Sequence, residues 1–179
     1  MRVLIVDDES LIRMDLRDII ESCGHEVVAE GTNGVEALAL CKKHKPDIIL
    51  MDVKMPELDG IEAARQIGFH HEAPVVLLTS YSQQDLIDKA RDSGVYGYLI
   101  KPVREEQLVP TLEMALGRYK SDAQLREKMA ELEQSLEDRK IIQKGTGILM
   151  ELYSISEVEA YNRIRTLSCL LYTSPSPRD

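Results

Sequence analysis

The chain has 179 residues, enough for one sizeable hydrophobic core with a smaller appendage. Apolar residues at 44% against 30% charged are a soluble globular composition, and with no Trp and 4% aromatics the core has to be aliphatic. A formal net charge of -9 argues against broad, non-specific attachment to nucleic acid or to an anionic membrane and leaves room only for a local basic face.

Cys23, Cys41 and Cys169 are widely spaced, form no CxxC and have no clustered His partners, which speaks against disulfides and against zinc. Met1 to Val6 runs into Asp7-Asp8-Glu9 too soon for a signal peptide or a membrane span. The expectation is a cytoplasmic protein without membrane contact.

Arg2 to Val6 is an aliphatic run stopped by Asp7-Asp8-Glu9-Ser10, and Leu11, Ile12, Leu16, Ile19 and Ile20 follow at helical spacing. Gly24 ends that helix, Val27 to Ala29 reads as a second strand, and Thr32-Asn33-Gly34 turns into a second helix with Val35, Ala37, Leu38 and Leu40-Cys41. Ile48 to Met51, bounded by Pro46-Asp47 and by a Pro- and Gly-containing loop, is a strand buried on both faces that ends in Asp52. A third helix starts near Asp59-Gly60, carries Ile61, Ala64 and Ile67, and is interrupted by Phe69 to Pro74. Val75 to Leu78, capped by Thr79-Ser80, is the fourth strand. Leu86, Ile87 and Ala90 mark a fourth helix closed by Gly94, and Tyr96 to Ile100 is a fifth strand ending in Lys101-Pro102. Five strand-helix alternations with short connections predict an α/β fold, a five-stranded doubly wound parallel sheet with helices on both faces.

The strand ends carry the chemistry. Strand one ends in Asp7 and Asp8, strand three in Asp52, strand four in Thr79 and strand five in Lys101. All of these fall on the carboxyl edge of the sheet, where open parallel sheets bind ligands. Carboxylates converging there repel one another and need a compensating cation. An oxygen-only donor set favours a hard divalent ion, Mg²⁺, and Lys101 adds a second positive charge opposite it. A carboxylate nucleophile, a metal, an ammonium and a hydroxyl are the parts of a phosphoryl-transfer site: Asp52 attacks phosphorus to form an acyl phosphate, and Thr79 hydrogen-bonds the new phosphoryl oxygen. Taken singly each residue has a plainer reading, Thr79 as a helix N-cap and Lys101 as a solvated strand-end charge; the set as a whole points to chemistry.

Residues 1 to about 118 resemble the receiver domain of two-component response regulators, in element order, in the acidic pair, in "MDVKMPELDG", in Thr79-Ser80 and in "YLIKP". The resemblance implies a flavodoxin-like receiver in which a histidine kinase or phosphotransfer protein phosphorylates Asp52. It further implies that Asp7, Asp8, Asp52 and the backbone carbonyl of Lys54 bind Mg²⁺, that Lys101 contacts the phosphoryl group, and that Tyr98 is a switch aromatic coupled to Thr79. Such a domain is a phosphoacceptor with slow self-dephosphorylation as its only chemistry, not an enzyme. Ser80 is bulkier than the Ala or Gly common after the hydroxyl residue in that family.

Past Pro102, charges of both signs alternate densely, and Leu125, Met129, Leu132 and Leu136 recur at four- and three-residue steps, the a/d seam of a coiled coil. Leu112, Leu116, Tyr119 and Ala123 repeat the pattern in another register, which predicts a helix break between Gly117 and Asp122 and a coiled-coil linker over 119–138. A coiled coil needs a partner helix, so a homodimer is the default; a helix folded back on its own domain is the plainer alternative.

"LEDRKIIQKGTGILMELYSISEVEAYNRIR" resembles the start of the ANTAR family, small three-helix RNA-binding domains of transcription antiterminators. Ile141, Ile142, Ile148, Leu149 and Leu152 are expected to form an apolar face, Ser156 to Glu159 a capping box, and Ala160, Tyr161 and Ile164 the inward side of the next helix. Lys140, Lys144, Arg163 and Arg165 are the candidate RNA phosphate contacts, to be weighed against a merely solvated face beside Glu151, Glu157 and Glu159. Gly145 stands where the family usually has Ala. The stretch 169–179 resembles a translated sequencing adapter and is expected to be disordered and non-helical. The expectation follows that 139–168 is an incomplete all-α output domain, that the natural frame continues past Ser168, and that only the intact protein binds RNA stem-loops.

The overall expectation is a response regulator whose phosphorylation controls dimerisation and RNA binding for transcription antitermination. The alternative is a phosphorelay or adaptor protein acting through protein contacts. A DNA-binding helix-turn-helix output is disfavoured, because no glycine turn separates the two output helices, and no DNA partner is expected.

Overall fold

The computed structural model describes residues 1–70, 72–80 and 94–172. The helix expected over Leu86 to Ala90 and the disorder expected of 173–179 lie outside the described residues. In chain order the elements are β1 (Arg2–Val6), α1 (Ser10–Ser22), β2 (Glu26–Gly31), α2 (Gly34–His44), β3 (Ile48–Asp52), α3 (Gly60–His70), β4 (Val75–Thr79), β5 (Val95–Ile100), α4 (Glu105–Tyr153) and α5 (Glu157–Tyr172). The chain forms two compact units, Met1–Ala123 and the residues from Gln124 onward, and α4 contributes to both.

In the first unit all strand pairings are parallel, in the order β2-β1-β3-β4-β5. The period-two alternation of the strands sorts their side chains onto two faces. Leu4, Val6, Ile49, Met51, Val75 and Leu77 pack with Ala37 and Cys41 of α2 and Ala63, Ala64 and Ile67 of α3. Val3, Ile5, Ile48, Leu50, Val76 and Leu78 pack with Leu16 and Ile20 of α1 and with Leu108, Leu112 and Ala115 of α4. The strands are apolar throughout because both of their faces are covered. β1 and β3 are neighbours in the sheet, and the connections leaving them diverge, α1 to one face and α3 to the other. That is the topological switch point at which such sheets open a binding crevice.

Helix boundaries follow local chemistry. The Asn33 side chain accepts the Glu36 N–H at 2.8 Å and caps α2, while Lys45, at φ 47, closes it in the left-handed region. The Asp59 carboxylate accepts the Glu62 N–H at 2.9 Å at the start of α3, and α3 continues through Phe69 and His70, two residues into the expected interruption. The Lys101–Pro102 peptide is cis.

Two expectations for the C-terminal half are corrected. The break predicted between Gly117 and Asp122 is absent: α4 runs unbroken from Glu105 to Tyr153. An isolated Gly costs a helix about 1 kcal/mol, and the good helix formers on either side outweigh it. The stretch from Cys169 is not wholly non-helical, because α5 extends to Tyr172. Cys-Leu-Leu-Tyr contains no helix breaker, and a proline constrains chiefly the residue just before it, which for Pro175 is Ser174.

Within the second unit, Ser156 Oγ accepts the Glu159 N–H at 3.3 Å to cap α5, Ala160 and Thr146 are buried, and Ile142, Leu149 and Ile164 are half-buried. Ile141, Ile148, Leu152 and Tyr161, expected on the inward faces, are exposed. At 100° per residue, Ile141, Ile148 and Leu152 form a stripe of their own beside the Ile142, Gly145, Thr146 and Leu149 side of α4. The sequence pattern merged two neighbouring stripes into one face.

Candidate functional site

The carboxyl edge of the sheet gathers Asp7, Asp8, Asp52, Thr79 and Lys101. β3 delivers Asp52 opposite Leu78 of β4, and the Val53 N–H donates to the Leu78 carbonyl at 3.0 Å. On the other side of β4 the Lys101 N–H donates to the Thr79 carbonyl at 2.8 Å, so the ladder itself sets the lysine's height. Lys101 Nζ sits 2.7 Å from Asp7 Oδ2 and 3.1 Å from Asp52 Oδ1. Thr79 is buried and its hydroxyl donates to the Ser80 carbonyl at 3.1 Å. Lys54 follows the end of β3 by two residues and is exposed. Tyr98, on β5, is 42% exposed, so its ring is turned outward.

Asp7 is fully buried and held at four points. Its N–H donates to the Gly31 carbonyl at 3.1 Å and its Oδ1 accepts the Glu9 N–H at 3.0 Å. Its carbonyl accepts Arg13 Nη1 at 2.6 Å, and Oδ2, which receives no well-aligned hydrogen bond, faces Lys101. Asp8 is exposed to solvent. One carboxylate oxygen from each of Asp7, Asp8 and Asp52 lies within 4.8 Å of the other two. Three hard oxygen donors at that spacing, one of them from the buried Asp7, fit a small divalent cation such as Mg²⁺.

Electrostatics follow from the crowding. Burial pushes the Asp52 carboxyl above the usual aspartate range; Lys101 pulls it down, and Asp7 adds a further upward push. For Lys101 burial works against the charge, but the two carboxylates outweigh it and raise its pKa. The lysine is locked as a cation between two acids, and it occupies in the resting site the place of a second positive charge.

Two residues escaped the sequence reading. Arg13, in the second turn of α1, reads as an ordinary polar-face residue, and Glu30, on the edge strand β2, as a solvated acid. In the structure Arg13 Nε donates to Glu30 Oε2 at 3.1 Å while its Nη1 holds the Asp7 carbonyl. The sequence carries only a trace of this, an Arg five residues past the acidic pair; its meeting with Glu30 depends on how α1 packs against β2.

The four basic residues of the output unit are not equivalent. Lys140 Nζ pairs with Glu137 at 2.7 Å, and Arg163 pairs with Glu159 at 3.3 Å and lies 5.7 Å over the Tyr153 ring. Lys144 and Arg165 form no ion pair among the described residues. No helix among the described residues is long and apolar enough to cross a membrane.

A five-stranded parallel sheet with this acid, hydroxyl and lysine constellation at its carboxyl edge defines a receiver domain. The chain belongs to the response regulators: the family of response regulator receiver domains matches residues 3–113, and the ANTAR domain family matches 130–169. It is 43% identical over 164 residues to the transcriptional regulatory protein PdtaR of Mycobacterium tuberculosis, covering 92% of this chain and 80% of that protein. It is 35% identical over 117 residues to the chemotaxis protein CheY of Bacillus subtilis, covering 65% of this chain and 98% of CheY. Among solved structures, the signal receiver domain of a modulated diguanylate cyclase from Desulfovibrio desulfuricans G20 superposes with a TM-score of 0.62 at 34% identity, over 67% of this chain and 96% of that one. The protein is therefore a response regulator with an RNA-binding output.

Proposed function

We propose that Asp52 accepts a phosphoryl group from a histidine kinase or phosphotransfer protein, and that this controls dimerisation, RNA stem-loop binding and transcription antitermination. The observation that supports it best is the placement of Lys101 between Asp7 and Asp52. An Asp52 oxygen attacks phosphorus, the bond from phosphorus to the donor's imidazole nitrogen breaks, and the imidazole leaves as the acyl phosphate forms. Lys101 swings its ammonium toward the incoming equatorial oxygens, and the Thr79 hydroxyl exchanges the Ser80 carbonyl for a phosphoryl oxygen. Asp7, Asp8, Asp52 and the Lys54 carbonyl would hold Mg²⁺, which when bound neutralises charge on the phosphoryl group. Movement of Thr79 vacates space for Tyr98 to turn inward, and slow self-hydrolysis of the acyl phosphate resets the site.

The output half supports assembly as the readout. Leu125, Met129, Leu132 and Leu136 are each more than half exposed along one face of α4, a seam that a second copy of the helix would cover. Two copies present two basic faces, which raises effective concentration on an RNA with two adjacent stem-loops. The phosphorelay or adaptor alternative draws on a specific observation: Lys140 and Arg163 are already paired with carboxylates, which weakens their claim on phosphate.

Labelling with acetyl phosphate and Mg²⁺ tests the reading. One phosphoryl group should add to the full-length protein and none to Asp52→Asn. Because the reactive form is the carboxylate and burial with Asp7 raises the Asp52 pKa in the metal-free site, labelling at limiting Mg²⁺ should fall off on acidification before an ordinary aspartate would protonate, and saturating Mg²⁺ should extend it to lower pH. The phosphorylated protein should dimerise and prefer paired hairpins to scrambled RNA. Label on Asp52→Asn defeats the phosphoacceptor assignment; dimerisation without any RNA preference leaves the adaptor.

A further inference from the structure

We infer that Arg13 is a positioning residue for the divalent cation, acting through the backbone of Asp7 and itself oriented by Glu30; the inference rests on the phosphoacceptor reading. Of the four points that hold Asp7, the Lys101 contact has to yield when a cation takes Oδ2, and the other side-chain tie is Arg13. The carbonyl that Arg13 grips belongs to the peptide joining Asp7 to Asp8. Fixing that peptide plane fixes the direction in which the Asp8 side chain leaves the chain, and that side chain makes no hydrogen bond of its own among the described residues. The guanidinium is well placed to hold it: the Arg13 side chain is 15% exposed, and its planar fork makes two bonds in different directions, one to Glu30 and one to the carbonyl.

Glu30 completes the device. It is shared between Arg13 and Arg17, and Arg17 also reaches Glu21 at 3.2 Å. Burial pushes the Glu30 carboxyl up, yet hydrogen bonds from Arg17 and Arg13 outweigh it and hold it below the usual range. Glu30 thus stays charged, and α1 is pinned to β2 at the level of the acidic pair. Partners that orient metal ligands without touching the metal typically contribute about 10–100-fold to its affinity.

Charge and geometry predict opposite outcomes. If the charge of Arg13 mattered most, its removal would tighten Mg²⁺ by lifting a repulsion. If its geometry matters most, removal weakens Mg²⁺ by letting the peptide tilt. The structure favours geometry, because the charges of Arg13 and Arg17 are together balanced by Glu30 and Glu21.

The test is calorimetric titration of Mg²⁺ into the full-length protein and into Arg13→Gln, Arg13→Lys and Glu30→Gln, below each variant's unfolding transition as measured by circular dichroism. All three should bind Mg²⁺ about tenfold more weakly, including Arg13→Lys, which keeps the charge but lacks the fork. Acetyl phosphate labelling of Asp52 should recover at saturating Mg²⁺. Arg17→Gln leaves both Arg13 bonds in place and should bind Mg²⁺ as the parent does. Tighter binding in Arg13→Gln, parent-like binding in Arg13→Lys, or lowered thermal stability with unchanged Mg²⁺ affinity each overturns the inference while leaving the phosphoacceptor reading standing. A parent protein that binds no Mg²⁺ and takes no label overturns both.

Discussion

At the strand ends every charge has an address given by the backbone; on the output helices the charges stand at positions set by helix period alone. Lys101 reaches two acids because β5 is hydrogen-bonded to β4 and β4 to β3, in registers that fix where each strand stops. Lys140 and Arg163 instead satisfy themselves with carboxylates one turn away on their own helices. Local pairs of that kind are exposed and contribute only about 0–1 kcal/mol. A strand-end site is thus built by the fold, whereas a helical face becomes a site only when a partner arrives to use it.

Glycines put the largest strain on this contrast. A Cβ built on Gly60 would stand far inside van der Waals contact distance of the Asp52 carbonyl oxygen and 2.9 Å from the Asp52 carbonyl carbon. Those neighbours are backbone, so relief requires moving the strand end that carries the phosphoacceptor. Gly60→Ala should therefore cost at least the ~1–3 kcal/mol of ordinary overpacking and abolish Asp52 labelling as well. Thermal unfolding beside a labelling assay checks it, and a variant that labels normally would show the site to be far more compliant than its registers suggest.

That rigidity explains what was legible. The five strands, the buried aliphatic runs and the edge at which Asp7, Asp8, Asp52, Thr79 and Lys101 meet could be read directly, because alternation and strand length constrain a side chain's face and height together. Arg13 and Glu30 could not, since their meeting depends on the packing of α1 against β2 and neither carries a period or motif. In the output half a helix period gives only an angle, and adjacent residues such as Ile141 and Ile142 differ by about 100°. Which of those stripes is covered depends on where α5 sits, and nothing in α4 says so. The predicted break at Gly117 failed for a related reason: local punctuation is weak against long runs of good helix formers.

The basic residues of the output helices offer a finer test of the same contrast. Lys144 has no carboxylate partner among the described residues, whereas Lys140 must leave Glu137 before it meets phosphate. Lys144→Ala should weaken RNA binding by several-fold and lower the salt dependence by about one ion. Lys140→Ala should do less on both counts. Filter binding of the phosphorylated full-length protein across a salt series separates them, and equal losses would show that the Glu137 pair has no influence.

The smallest effect belongs to the helical glycines. Gly147 sits in α4 with nothing within 4 Å of where an added methyl would stand, so Gly147→Ala meets no steric obstacle and gains helix propensity of about 1 kcal/mol. Gly145, two residues earlier, would place its methyl 3.2 Å from Ile164 Cδ1, the tip of a flexible side chain that has to give by a few tenths of an ångström. The same propensity gain is then partly offset by repacking, and Gly145→Ala should stabilise less than Gly147→Ala. Chemical denaturation followed by helical circular dichroism resolves the order, provided that the two units unfold in separable steps. An Ala at 145 that stabilises as much as one at 147 would mean that Ile164 moves freely and that α5 is not seated closely on that side of α4. An Ala at 145 that destabilises would mean the reverse, with Gly145 kept so that the two helices can approach.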